Sequence, residues 1–208
     1  MKRYVPIALL ILYVIVFAVC AVSPYDRGVW VVENIPVILI VAVNIIIYKY
    51  FKFSPLSYIL MSFLIIMHTI GGHYTFEKVP FGFVTNLFGF TRNHYDRISH
   101  FTVGFYAYPI AEILLVKKLV RSKWILLMFP IFAIFTVGAG YEIFEWIYAL
   151  YAEASAGSAV LGSQGDVWDA QKDMLADVLG AFLVMGIFGA VNRRTSVFAA
   201  LRRDRHVL

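Results

Sequence analysis

Six apolar runs, each close to the ~20 residues an α-helix needs to cross a bilayer, constrain this chain more than any other feature. They cover Tyr4 to Val22, Ile35 to Tyr50 (with an earlier start near Val31 as the alternative), Leu56 to Phe76, Ile98 to Val116, Trp124 to Tyr151 and Met174 to Val191. Backbone polar groups in lipid must be satisfied within their own segment, so such runs fold as helices. The expected fold class is all-α: an integral-membrane six-helix bundle over residues 1–192, one domain, followed by a basic tail over 193–208. The 208 residues are 61% hydrophobic and 15% charged, against about a quarter charged in a soluble domain. Mean hydropathy is +0.78, which also excludes a disordered chain.

The first run follows Lys2 and Arg3, as the apolar core of a signal peptide would. The place for cleavage, Ala21-Val22-Ser23, runs into Pro24, and Val19 is too large for a lipobox ending at Cys20, so the run is read as an uncleaved first span. Cys20 has no second cysteine to pair with and is expected as a small core residue. Lys2 and Arg3, Lys49 and Lys52, Lys117 to Lys123, and Arg193 to Arg205 all fall on one side of a six-span chain. The positive-inside rule then puts both termini in the cytoplasm. The net charge of +5 is divided among these loops and tails and forms no patch, so a nucleic-acid partner is not expected. Tyr25, Trp30, Trp146, Tyr148 and Trp168 would form the outer aromatic belt, and Tyr48, Tyr50 and Trp124 the inner one. The tail after Asn192, basic with Val197, Phe198 and Leu201 interleaved, reads as a segment lying on the inner, anionic lipid surface.

Polar residues from several spans reach one depth. At the helical rise, Glu142 stands roughly 27 Å from the cytoplasmic start of span five, His100 roughly 25 Å above that side and Asp177 roughly 24 Å, with His68 and His73 at roughly 20 and 27 Å. Their faces agree too: Asp96 and His100 share a stripe with Gly104, Glu142 and Glu145 with Gly138, and Asp173 and Asp177 with Gly180. Small residues mark the side on which membrane helices approach one another, so these acids and histidines are expected to point into the bundle. Plainer readings exist for several of them. Asp96, Asp166 and Asp169 fit helix caps or first turns. His94 fits a solvated loop, His68 and His73 fit interhelical hydrogen bonds, and Glu112 fits a partner for a nearby lysine.

Acids crowded at one level of a bundle repel unless protons, Arg92, Arg97, Lys172 or a metal ion intervene. Carboxylates with one or more imidazoles suit a hard or borderline divalent ion: Mg²⁺, Mn²⁺ or Ca²⁺ with few histidines, zinc or iron with several. A di-iron bundle would need Glu-x-x-His on two helices. Glu142 to Glu145 is Glu-x-x-Glu, and Asp96 to His100 is one residue longer, so that class is disfavoured.

Three motifs follow one another: Asn93-His94-Tyr95-Asp96-Arg97-Ile98-Ser99-His100-Phe101, then Tyr141-Glu142-Ile143-Phe144-Glu145-Trp146, then Asp166-Val167-Trp168-Asp169-Ala170-Gln171-Lys172-Asp173-Met174 with Asp177 and Gly180. In these, and over nearly its whole length, the chain resembles the YjdF family of bacterial inner-membrane proteins. The resemblance implies that location and names no reaction. More distantly, Asp-x-x-x-His, a Glu in a later span and an Asp followed by Gly or Ala in the last span resemble the VanZ-like proteins, which are associated with glycopeptide resistance. Loop lengths differ there, and no substrate is carried across.

The residues support a metal-dependent hydrolase or transferase working on a lipid-linked substrate at the outer face of the inner membrane. Asp96, His100, Glu142, Asp173 and Asp177 are the expected ligands of a divalent ion (Mg, Mn or Zn). Glu145 would be the base that activates water, and Arg97 would hold a phosphate. A cation- or proton-coupled transporter is the alternative from another class, although the acids lie near the outer edge and no inverted repeat is visible. In a third reading the polar set only holds the helices together. The sequence carries no signal for oligomeric state.

Overall fold

The computed structural model describes residues 4–194 and Phe198. The helices are α1 (Tyr4–Cys20), α2 (Arg27–Tyr50), α3 (Pro55–His73), α4 (Gly82–Phe88), α5 (Tyr95–Val103), α6 (Ala107–Val116), α7 (Lys123–Tyr151), α8 (Ala154–Leu161) and α9 (Asp169–Asn192). Five stretches among the described residues are long and apolar enough to cross a membrane: α2, α3, α5 with α6, α7, and α9. The expected first span, α1, is shorter at 17 residues, or roughly 26 Å of helix. The helices run up and down, so that α1, α3 and α7 end, and α2, α5 and α9 begin, at one end of the bundle. This is called the polar end below, because the acids and histidines gather there.

Three helices begin earlier than their hydropathy suggests. Expected from Ile35, α2 starts at Arg27, where Asp26 caps it by accepting the Val29 amide at 2.9 Å. Glu33, assigned to a loop from the sequence, lies inside α2 and is buried. Expected from Met174, α9 starts at Asp169, so Asp169, Lys172 and Asp173 are helical. The helix of span four starts at Tyr95, with His94 in the cap position but no side-chain cap bond, and Asp96 lies in its first turn. Apolar runs mark the lipid-buried part of a helix. Polar residues satisfied inside a bundle extend the helix past that mark.

Span four is not continuous. Gly104–Tyr106 forms a 3-10 turn between α5 and α6. Pro109 explains it: the ring has no N–H to donate and crowds the carbonyl four residues back, at Phe105. The turn sits where the helices come closest. A Cβ on Gly104 would collide with the backbone of Asp177 and Ala181, and one on Gly180 with the carbonyl of Phe101. At the opposite end, α6, α7 and α9 enclose an apolar core around Ala107, Ala111, Leu126, Ile134, Val184 and Phe188. Phe198, expected within a segment lying on the lipid surface, packs on that core, its ring centroid 6.5 Å from that of Phe188. The rest of the tail beyond Arg194 lies outside the described residues.

Other expectations need correction. Trp30 is not part of an exposed belt: it is buried, with its ring 5.2 Å from that of Phe17, which joins α1 to α2 at the polar end. Tyr25, Trp146 and Trp168 are exposed as expected. Glu112 does not pair with lysine. It accepts the Ser54 amide at 2.7 Å and the hydroxyls of Ser54 and Ser57, and so completes the N-terminus of α3. Cys20 is buried as expected, and its carbonyl accepts from His73 Nδ1 at 2.8 Å.

Candidate functional site

His100 is the centre of the polar end. It lies one turn into α5, and the absence of side chains on Gly104 and Gly138 lets α9 and α7 approach it. Gly138 has no room for a Cβ because the Asp177 carboxylate occupies that space. His100 Nδ1 lies 3.1 Å from Asp177 Oδ1. Because a carboxylate only accepts, Nδ1 carries a proton and donates it; Nε2 is then a lone pair in the neutral ring and a second N–H in the imidazolium. That nitrogen faces two further carboxylates, Glu142 Oε1 at 3.7 Å and Asp96 Oδ1 at 3.9 Å. Both distances are too long for hydrogen bonds. Nε2 and these two carboxylates are placed to share either a bound cation or the ring's own second proton, and make no direct hydrogen bond.

Asp96, His100 and Asp173 each offer one ligand atom, all within 4.8 Å of one another. Metal–ligand bonds of ~2.0–2.2 Å place two donors of a tetrahedral ion ~3.3 Å apart, less than the 3.9 Å between His100 Nε2 and Asp96 Oδ1, so these side chains would draw inward around an ion. The arrangement of His100, with one nitrogen fixed by a carboxylate and the other facing the proposed ion, is the usual one for an imidazole ligand. Among the described residues, Glu142 Oε1, Asp177 Oδ2 and Ser99 Oγ are buried without a hydrogen-bond partner. A cavity of about 90 Å³ opens onto Asp96, Ser99, His100, Tyr141, Glu145 and Asp177. Glu145 is 8% exposed and makes no hydrogen bond or ion pair among the described residues. Of the seven candidates, five therefore surround His100 or belong to it, and Glu145 lines the same cavity.

Arg97 is arranged differently. Its Nε donates to Asp173 at 3.2 Å and its Nη2 to Asp169 at 2.5 Å. Arg92 reaches the same Asp169 oxygen and the carbonyls of Gly162 and Ser163, at 3.2 and 3.1 Å. Lys172 Nζ donates to Asp166 at 2.6 Å. These three cations and Asp166, Asp169 and Asp173 form a rim above the chamber that ties the α4–α5 connection to the start of α9. Asp169 is thus a buried anchor and not the external cap considered from sequence. Asp166 does keep a local role, accepting the Trp168 amide at 3.1 Å. That bond, after the stronger one from Lys172, holds its carboxyl below the usual range. Burial, then the charges of Arg97 and Arg92, push the His94 imidazole below its ordinary value, so it is neutral at pH 7.

The sequence reading missed an acid that holds two of the cavity's lining residues, His68 and Tyr141. Glu33 on α2 is 2% exposed and bonds His68 Nε2 at 3.1 Å and the Tyr141 hydroxyl at 3.0 Å. His68 thereby keeps its interhelical role, and Tyr141 stands between the two histidines, with ring centroids 6.0 Å from His68 and 6.3 Å from His100. Counting from Tyr50, Glu33 stands roughly 26 Å along its helix, at the level of the other acids. That count would have found it had α2 been started at Arg27.

Fold and site together define a multi-pass membrane protein with a buried acid and histidine centre at one end of its helix bundle. A model of a predicted membrane protein family (DUF2238) matches residues 5–194. The chain is 35% identical over 162 residues, 77% of each protein, to the inner membrane protein YjdF of Escherichia coli (strain K12). The chain belongs to this YjdF/DUF2238 family, in agreement with the resemblance carried by its motifs, and is an inner-membrane, multi-pass protein. No solved structure matches it.

Proposed function

We propose that this protein is a divalent-metal-dependent hydrolase or transferase acting on a lipid-linked substrate at the outer face of the inner membrane. In this reading α1 is the first of six spans, residues 1–192 are one domain, both termini and the basic tail are cytoplasmic, and the polar end faces outward. The supporting observation is the set of gaps around His100 Nε2, with Asp96, Asp173 and Glu142 placed to share a cation with it. One imidazole among carboxylates suits Mg²⁺, Mn²⁺ or Zn²⁺. Asp177, expected as a ligand, acts instead by holding Nδ1 and so orienting the ring. The ion would polarise a phosphoryl or acyl oxygen. Glu145, unpartnered and facing the cavity, takes the proton of the attacking water or hydroxyl. Arg97 fixes Asp173 and keeps one terminal nitrogen for a phosphate. The partners in this reading are membrane lipids and the lipid-linked substrate, with no nucleic acid.

Elemental analysis of the purified protein tests it. About one equivalent of metal is expected in the wild type, lost in Asp173→Asn and Glu142→Gln. A metal-free wild type that also fails to take up Zn²⁺, Mn²⁺ or Mg²⁺ would sink the proposal. One observation favours a second reading. The break at Gly104–Tyr106 lies beside the chamber, and broken helices accompany ion sites in transporters. Cation or proton flux in reconstituted vesicles, abolished by Asp177→Asn, would decide for transport. If the same substitutions lowered thermal stability and left metal content and flux at wild-type values, the cluster would be structural only.

A further inference from the structure

The cavity beside His100 has two storeys. His68, Ser99 and Tyr141 line the upper one, and Leu64, Val103 and Val137 the lower. Each apolar residue lies four positions deeper on the same helix as its polar counterpart, about one turn or roughly 6 Å. From α2 the cavity receives only Pro36, Val37 and Ile40, all deeper than Glu33. The lining thus changes from polar to apolar within one turn on every side. At about 90 Å³ the cavity is smaller than the ~150 Å³ that admits a benzene ring, so it has room for a small head and the first carbons of a chain. The Tyr141 bond to Glu33 joins α7 to α2 at the polar end, and below it α2 packs along α3 and not along α7. Val137 both lines the cavity and is 61% exposed at this opening. Two groups of the upper storey lack a hydrogen-bond partner among the described residues: Ser99 Oγ, on a residue 2% exposed, and the Glu145 carboxyl, on one 8% exposed. No lysine or arginine among the described residues lines the space, whereas Asp96, Glu145 and Asp177 do.

We propose that this cavity seats a lipid alcohol, its hydroxyl between Ser99 and Glu145 and its chain leaving between α2 and α7 past Val137. The proposal deepens the reading of a lipid-linked substrate at this centre and rests on it. A hydrolase of a lipid ester releases such an alcohol, and a transferase accepts one. The two unpartnered groups select the head. A hydroxyl donates to the Glu145 carboxylate and accepts from the Ser99 hydroxyl at once. An ammonium has no acceptor to offer Ser99. An anionic head would stand among three carboxylates with no basic side chain in the lining to offset them. The storey below suits hydrocarbon and offers nothing to a second polar group. Uptake of dodecanol, dodecylamine and dodecyl phosphate, which share one chain and differ in the head, tests the idea. Each is measured separately by native mass spectrometry on the full chain in detergent. A chelator is present, so that an ion at His100 does not itself hold the phosphate.

The wild type is expected to bind dodecanol about ten-fold more tightly than either charged analogue, the effect of one hydrogen bond to a buried charged group. Ser99→Ala removes a hydroxyl that no described residue uses, so the melting temperature should hold while dodecanol binding falls about five-fold. Val137→Trp, at an outward position that tolerates bulk, should narrow the opening and block all three compounds, again with an unchanged melting temperature. Binding of the amine or the phosphate as tight as that of dodecanol overturns the proposal. Wild-type binding of dodecanol by either variant overturns it too. Metal content, measured on the same preparation before the chelator is added, keeps the two proposals apart. Metal without a preference for the alcohol removes the lipid alcohol alone, and the preference without metal supports the lipid alcohol and removes the metal centre.

Discussion

Gly138→Ala would disturb the centre without touching a proposed ligand. The added methyl group falls on the Asp177 carboxylate, the movable tip of a side chain, so the helix backbone need not shift. Turning Asp177 away breaks its 3.1 Å bond to His100. A buried hydrogen bond to a charged group contributes ~1.5–3 kcal/mol, and alanine in place of glycine returns ~1 kcal/mol of helix propensity. The fold should therefore lose only about 0.5–2 kcal/mol. The effect on metal should be larger in proportion, since losing the partner of a ligating histidine costs about 10–100-fold in affinity. Competition of the apo-protein with a chelator for Zn²⁺, alongside thermal unfolding in detergent, measures both quantities. Gly140→Ala is the control, because its Cβ meets open space; it should bind metal as the wild type does. If Gly138→Ala kept wild-type affinity, Asp177 would not orient the ligand and the account of His100 would fail.

Other consequences are accessible to simpler measurements. Gly180→Ala drives a methyl group into the Phe101 carbonyl, between two backbones that cannot yield, and should cost about 1–3 kcal/mol in a detergent unfolding titration. Glu33→Ala strands the Tyr141 hydroxyl and His68, at about 1–3 kcal/mol per orphaned group, whereas Glu33→Gln should recover much of the loss. Glu112→Ala removes the acceptor that closes the start of α3, and a fall of about 1–2 kcal/mol is expected by the same assay. Asp166 is held below its unfolded value, so its stabilisation is complete above about pH 4 and is lost as pH falls through the lower folded value. The melting difference between wild type and Asp166→Asn should be constant from pH 7 to 5 and shrink below about pH 4; a difference that grew on acidification would contradict this sign.

The amino-acid sequence made the spans legible because lipid imposes long apolar runs, and the depth of the site legible because helical rise is constant. Counting residues brought His100, Glu142, Asp173 and Asp177 to one level, and the small residues beside them gave their faces. Hydropathy failed at the polar ends of helices. Glu33 and Asp169 resemble loop residues when neighbours in sequence are considered, but in three dimensions each is satisfied by another segment: Glu33 by His68 and Tyr141, and Asp169 by two arginines. The short helices α4 and α8 carry too few residues for a periodic signal. The split of span four was visible as Pro109, but only the close approach of Gly104 to α9 shows what the split accommodates.

The rim and the centre both depend on α9, and α9 leaves the ribosome after α1 to α8. Arg92, Asp96, Arg97 and His100 enter the membrane region well before Asp169, Asp173 and Asp177 exist as partners for them. A growing chain thus carries unpaired arginines and an unoriented histidine at the polar end until α9 arrives. Insertion of α9 neutralises them in one event, so that closing the bundle and building the centre are the same step of biogenesis. A product that stops before Asp169 has neither.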